Sequence, residues 1–188
     1  AYELAREHEV ELLIIDREPI DQSAIKALQD TFEAVHVFSY PNFRFYLNTL
    51  PGLFSRRPLQ THFYSFGDVK EWLNRNRQRF DLFYCNHIRT TEYVRQYDLP
   101  KIVDFVDAIS RNYRRASRDA VGFWRFIYPI EWRRLRRYER LVARSFEHSF
   151  IITDADRQFL TGGDPYPSLS VLPNGVKPSL LDRELCDH

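Results

Sequence analysis

The sequence predicts an α/β fold in three layers, a mainly parallel sheet with helices on both faces. Three observations lead there. Short apolar runs rich in β-branched residues alternate with stretches of helical periodicity along the whole chain, as parallel strands joined by crossover helices require. The 188 residues are 44% apolar, enough to bury one good core, whereas two smaller domains would each be marginal. Aromatic residues are abundant, with 15 Phe, 11 Tyr and 3 Trp, which argues against disorder over most of the length.

AYELAREHEV reads as the end of a helix, and the run VELLII over residues 10–15 as a buried strand. A helix follows from Asp21 to Phe32, with Ile25, Leu28 and Phe32 at helical spacing. Ala34 to Ser39 is a strand in which Val35 and Val37 alternate with His36 and Phe38. The aromatic, proline-interrupted stretch Asn42 to Phe54 is a short helix, Pro58 to Tyr64 adds a strand, and Asp68 to Arg79 is a helix faced by Val69, Trp72 and Leu73. FDLFYCN (residues 80–86) is a strand ending in polar residues. Thr90 to Gln96 is a short helix leading through Pro100 to the strand KIVDFVDA, residues 101–108. Residues 109–146 are helical in two pieces, broken near Gly122 and Pro129. HSFIIT (residues 148–153) is a strand, after which Thr153 caps a helix with Asp156 three residues on. GGDPYP closes that helix, LSVLP is a last short strand, and NG turns the chain. In such a sheet ligands bind beyond the carboxyl ends of the strands, so functional interest falls on residues just past those ends.

Net charge is +1, but it is unevenly spread. Eleven Arg stand between Arg111 and Arg144 against Asp119, Glu131 and Glu139, so the rest of the chain is net acidic. The two cysteines, Cys85 and Cys186, are far apart and form no CxxC pair, which fits a reduced, intracellular protein. No apolar run approaches 18 residues and no signal-peptide pattern is present. The sequence contains no methionine, so an incomplete gene product is expected.

Asn86, His87 and Arg89 follow a strand end, where the imidazole can act as base, donor or sugar ligand, or stand as a solvated loop residue. In IVDFVDAIS, Asp104 and Asp107 fall on opposite faces of the strand, and Asp107, with Ser110 behind it, is the better placed to orient a hydroxyl or take its proton. Its plainer alternative is to cap the next helix. In WRRLRRYERLVARSF, Trp132, Leu135, Tyr138, Val142 and Phe146 make an apolar stripe, while Arg133, Arg136, Arg137, Arg140 and Arg144 take the other faces. Those arginines suit a solvated face, an anionic membrane surface or nucleic-acid phosphates, although no nucleic-acid-binding motif accompanies them. There is no GxxxxGK[ST] loop and no GxGxxG, and the histidines are too dispersed for a zinc site.

Five pieces then form a pattern: ELAREHEVELL, RFDLFYCNHIRTTEYV, KIVDFVDAISRNYRRA, the basic helix ending in YERLVARSFEHSFIIT, and VLPNGV. In their order and spacing the chain, over Pro58 to Val176 above all, resembles the amino-terminal domain of family 4 glycosyltransferases, and most resembles bacterial sugar transferases associated with exopolysaccharide gene clusters. The resemblance implies a GT-B fold, in which two Rossmann-like domains face each other across a cleft. Residues 1–176 would form the acceptor-binding domain without its first strand, and residues 177–188 the start of the crossover to a donor-binding domain that lies outside the sequence. It implies a retaining, metal-independent transferase that uses a nucleotide sugar as donor and holds no cofactor in this domain. The segment alone would then be inactive.

Many such relatives carry a His at the position of Val106. Here either Asp107 takes the polar role, or His87 does, or the subfamily works differently. The resemblance further implies a saccharide or lipid-linked acceptor contacting Asn86, Arg89, Ser110, Arg111, Arg114 and Arg115. It implies a cytoplasmic protein, peripheral at the inner membrane face through Arg133, Arg136, Arg137, Arg140 and Arg144, with nucleic acid not expected. The alternatives are a non-catalytic α/β module binding a ligand or partner, and a nucleic-acid-binding domain using the Arg cluster.

Overall fold

The computed structural model describes residues 2–175. The chain is α/β, and every strand pair among the described residues is parallel, compatible with a Rossmann-like sandwich. It divides between Arg79 and Phe80 into two compact units, each with its own sheet.

The first unit holds α1 (Tyr2–Ala5), β1 (Glu11–Asp16), α2 (Gln22–Gln29), β2 (Ala34–Ser39), α3 (Asn42–Thr49), a 3-10 turn (Pro51–Phe54), α4 (Leu59–Phe63), α5 (Gly67–Asn76) and a closing 3-10 turn (Arg77–Arg79). β1 and β2 pair with Leu13 opposite His36 and Asp16 opposite Ser39. Its core is aromatic. Tyr40 stacks on Phe66 at 3.7 Å, and Phe45 meets Phe66 edge-on at 4.8 Å, an arrangement that suits the ring quadrupoles. The strand expected over Pro58–Tyr64 is instead α4. Pro58 fixes its own φ, and the amide and hydroxyl of Thr61 both return to the Pro58 carbonyl, closing a helical turn. Phe63 and Tyr64 then both reach Phe45, which alternation along a strand would forbid. Phe43, Tyr46, Leu47, Leu50 and Phe54 form an exposed apolar ridge on α3 and the turn after it.

The second unit holds β3 (Phe83–Asn86), a 3-10 turn (Ile88–Tyr93), β4 (Lys101–Asp104), α6 (Ile109–Ala116), α7 (Trp124–Ser145), β5 (His148–Ile151), α8 (Asp154–Thr161) and β6 (Leu169–Val171). Its four strands lie side by side in sequence order. Cys85 faces Val103 across one ladder, Val103 faces Ser149 across the next, and Ile151 faces Val171 across the third. Cys85 is free and buried, while Cys186 lies outside the described residues, as do Val176 of the PNGV piece and the expected crossover.

The stripe on α7 packs as its spacing predicts, with Leu135, Tyr138, Val142 and Phe146 buried. The Tyr138 hydroxyl is matched by Thr91 at 2.9 Å and Glu92 at 2.7 Å. Thr153 accepts the Asp156 amide at 3.1 Å, and Gly162 closes α8 at φ 70°, a left-handed position that favours glycine. Two expectations are corrected. The helix over 90–96 is a 3-10 turn over Ile88–Tyr93. The break between α6 and α7 lies at residues 117–123, with Gly122 at φ 58°, and Pro129 sits inside α7. The bond that Pro129 removes is one to the carbonyl of Arg125, an exposed residue in the first turns, where water can replace the amide.

Candidate functional site

β3 and β4 are neighbours, so their carboxyl ends open side by side. The expected strand over 101–108 stops at Asp104, and the cause is the Asp104 side chain. Its Oδ1 accepts the Val106 amide at 2.9 Å, an Asx turn that draws the chain out of the ladder. The Asp107 amide then closes on the Phe105 carbonyl at 2.8 Å, a three-residue turn about Val106. Asp107 therefore lies in the loop past the strand, not on a face of it.

Val106 has φ 64° and His87 has φ 76°, and these are the two non-glycine residues in the left-handed region among the described residues. A β-branched residue there is strained by about 1–3 kcal/mol. Hydrogen bonds hold both in place. The His87 amide donates to the Asp104 carbonyl at 2.7 Å, and the Val106 carbonyl accepts the Ile152 amide at 2.9 Å. Immediately after His87 the chain buries Ile88 and Thr91, so the turn is imposed from its far side as well.

The imidazole of His87 is half-buried, and its Nδ1 is buried without a hydrogen-bond partner. Burial, then the Arg89 charge, pulls its pKa down to about 4, against the opposing pull of Asp107 and Asp104. Tyr84 donates to Asp104 Oδ2 at 3.2 Å, and burial with the Asp104 charge pushes its hydroxyl up to about 12. Asp107 does not cap α6, whose N-cap is Ala108. It accepts Asn112 Nδ2 at 2.5 Å. The strand mouths thus hold a neutral imidazole with a free buried nitrogen, two carboxylates and a phenol. Asn86 is exposed beside them and Arg89 half-buried.

Ser110 is fully buried. Its amide donates to Glu139 Oε1 at 3.0 Å and its hydroxyl to Glu139 Oε2, so it anchors α6 to α7 instead of facing a ligand. Arg111 pairs with Asp156 at 2.9 Å, Arg114 lies over Phe159 at 5.3 Å, and Arg115 is exposed on α6. Glu139 is the residue that sequence reading missed. Burial pushes its carboxyl up to about 7, against the two bonds from Ser110. The signal was present, because Glu139 falls four residues after Leu135 and three before Val142, on the apolar stripe itself.

The arginines of α7 do not form one open face. Arg140 donates from Nε to the Leu160 carbonyl at 2.6 Å and from Nη2 to the Thr161 carbonyl at 2.7 Å, capping α8. Arg136 lies over Phe159 at 5.1 Å, with burial, then the Arg140 and Arg114 charges, lowering its pKa. Arg144 covers Tyr166 at 5.0 Å, and Arg133 covers Trp132 at 4.9 Å, while Arg137 is exposed. Arg140→Leu is therefore expected to destabilise the protein by about 1–3 kcal/mol, because two helix-end carbonyls lose a charged donor. Urea unfolding checks it, and unchanged stability would return Arg140 to the solvated face.

Among the described residues no three His, Cys, Asp or Glu side chains gather as metal ligands, and no helix is long and apolar enough to cross a membrane. A cavity of about 660 Å³ lies elsewhere, over the loop after α8, lined by Arg157, Thr161 and Tyr166. The strained turns and the unpartnered imidazole single out the strand mouths over that cavity. Comparison with protein-family models, with curated proteins and with solved structures returns no match.

Proposed function

We propose that the chain is the acceptor-side domain of a retaining, metal-independent glycosyltransferase that moves a sugar from a nucleotide sugar to a saccharide or lipid-linked acceptor in bacterial polysaccharide synthesis. One observation supports this reading above the others, the buried, unpartnered Nδ1 of His87 beside Asp107 at the mouths of two parallel strands. A group with a pKa of about 4 stays neutral near pH 7, where it is poorly matched to proton transfer but ready to donate or accept a hydrogen bond. With Asp107 as an acceptor beside it, that pair suits the hydroxyls of a sugar ring. His87 and Asp107 orient the acceptor, and exposed Asn86 and Arg115 meet its periphery. The nucleotide sugar belongs to a donor domain of the full-length protein, and no cofactor is assigned here. The protein works in the cytoplasm, at the inner face of the membrane.

The test is a transfer assay on the full-length protein with a panel of nucleotide sugars and a bacterial lipid extract. His87→Asn removes the imidazole while keeping a Cβ at φ 76°, so the backbone demand at this position stays that of the parent. It and Asp107→Asn are expected to lower kcat/KM by roughly ten- to a hundredfold. The non-catalytic alternative draws on the same unpartnered nitrogen. Saccharide binding that depends on His87 without transfer from any nucleotide sugar would establish it. Loss of neither transfer nor binding in the two variants would remove the strand-mouth site from both readings.

A further inference from the structure

α6 and α7 run antiparallel as a hairpin. Ser110 meets Glu139 near its base, Arg114 lies by Trp132, and the Tyr113 ring meets Tyr128 at 5.4 Å. α6 leaves from the Asp107 loop at the carboxyl ends of the strands, while α7 runs on past Glu139 to reach the start of β5. The part of α7 before Glu139 therefore stands beyond the strand mouths. From Glu139 to Trp124 it extends roughly 22 Å, at about 1.5 Å per residue.

The end of this hairpin is unusually bare. Val121, Phe123, Trp124, Phe126 and Ile130 expose 79, 68, 53, 70 and 51% of their surface. Exposed arginines are interleaved with them, Arg118 and Arg125 at the tip and Arg115 and Arg133 behind it. Residues 120–130 contain no acid; of the two acids that flank them, Asp119 is exposed and Glu131 is buried beside Arg134. Large apolar groups this exposed mark a contact surface.

We propose that the tip of the α6–α7 hairpin, residues 118–130, docks on an anionic phospholipid bilayer, with Phe123, Trp124 and Phe126 in the interface and Arg118 and Arg125 on the headgroups. The interleaving decides for lipid over protein. Trp124, Arg125 and Phe126 follow one another in the first turn of α7 and so point to different sides of the tip. A flat protein contact reaches one side, but a headgroup layer surrounds the tip and accepts ring and cation at one depth. The local charge agrees, since anionic headgroups complement four arginines set against Asp119. Docked this way, the hairpin holds the strand mouths about 20 Å above the bilayer. That height would admit a lipid-linked acceptor carrying a phosphate and a few sugars, a consequence that rests on the transferase reading. The lipid surface itself does not need that reading.

The experiment is flotation of the full-length protein with phosphatidylcholine vesicles, with and without phosphatidylglycerol, without sugar present. Binding of the parent is expected to rise with phosphatidylglycerol. Phe123→Ser with Phe126→Ser should cut it at least tenfold. Arg118→Gln with Arg125→Gln should cut it about thirtyfold on phosphatidylglycerol vesicles alone. Brominated lipid should quench tryptophan fluorescence in the parent and not in Trp124→Phe. All these positions are exposed, so the fold survives the changes, as circular dichroism will report. Equal flotation of parent and Phe123→Ser/Phe126→Ser would overturn the proposal. So would loss of flotation on Leu50→Ser with Phe54→Ser in the α3 ridge with no loss at the tip, or a dimer that the tip variant abolishes without any vesicle binding by the parent. Transfer activity enters none of these readouts, so a failed lipid surface and a failed transferase reading are told apart.

Discussion

At pH 8 the Glu139→Gln variant is expected to be more stable than the parent by about 3 kcal/mol, and at pH 4.5 about equal to it. Glu139 is buried on α7, with its carboxyl raised from 4.5 to about 7 in the folded protein. The folded state therefore holds this proton more tightly than the unfolded state. Its stabilising contribution is full below about 4.5 and is lost as pH rises through about 7. Glutamine keeps the useful contacts, since its carbonyl can accept the Ser110 amide and its amide can donate to the Ser110 hydroxyl. It has no charge to bury. Glu139→Ala, by contrast, leaves the Ser110 amide and hydroxyl unpaired beside a cavity, at a cost of about 2–4 kcal/mol at pH 5.

Urea unfolding of all three proteins across this pH range makes the measurement. His87 acts in the opposite sense, its lowered pKa removing stability as pH falls from 6.5 towards 4. Subtracting the Gln variant from the parent cancels that contribution and isolates Glu139. Parallel pH profiles for parent and Glu139→Gln would show that the carboxyl does not titrate in this window. The consequence reaches the site. Glu139 holds the first turn of α6, and α6 carries the Asn112 amide that fixes Asp107.

Much of the fold was legible because two periodicities report it directly. Val35 and Val37 marked β2, and the Leu135–Phe146 stripe marked the buried face of α7. Two of the misreadings occurred where a side chain competes with the regular ladder. Pro58 and Thr61 make a helical turn from a stretch whose composition suits a strand. Asp104 ends β4 four residues short of the strand expected over residues 101–108. His87 and Asp107 could be placed near strand ends from sequence, because in parallel sheets polar residues gather there. Their strain could not, since φ at Val106 and His87 is imposed by partners at Ile152 and Asp104 that are distant along the chain. The arginines misled for a similar reason. A helical wheel assigns Arg136, Arg140 and Arg144 to faces other than the apolar stripe, but not to the carbonyls and rings of α8 and Tyr166 that occupy them.

That competition at Asp104 gives a second prediction of comparable size. Asp104→Ala is expected to destabilise the protein by about 2–3 kcal/mol, because the Val106 amide and the Tyr84 hydroxyl lose their acceptor together. The same change in a Val106→Gly background is expected to cost about 1 kcal/mol less. Glycine takes φ 64° without strain, so the turn no longer depends on the Asp104 carboxylate to hold it. Chemical unfolding of the four proteins in this cycle gives the coupling. Strict additivity would mean that Val106 stores no strain that Asp104 restrains. A spectroscopic titration supplies an independent readout, since Tyr84 should ionise at lower pH once the Asp104 charge and hydrogen bond are gone, though burial keeps it raised. If the strand mouths orient an acceptor, Val106→Gly should also weaken saccharide binding more than it changes stability. The restraint it removes is the one that sets Asp107 beside His87.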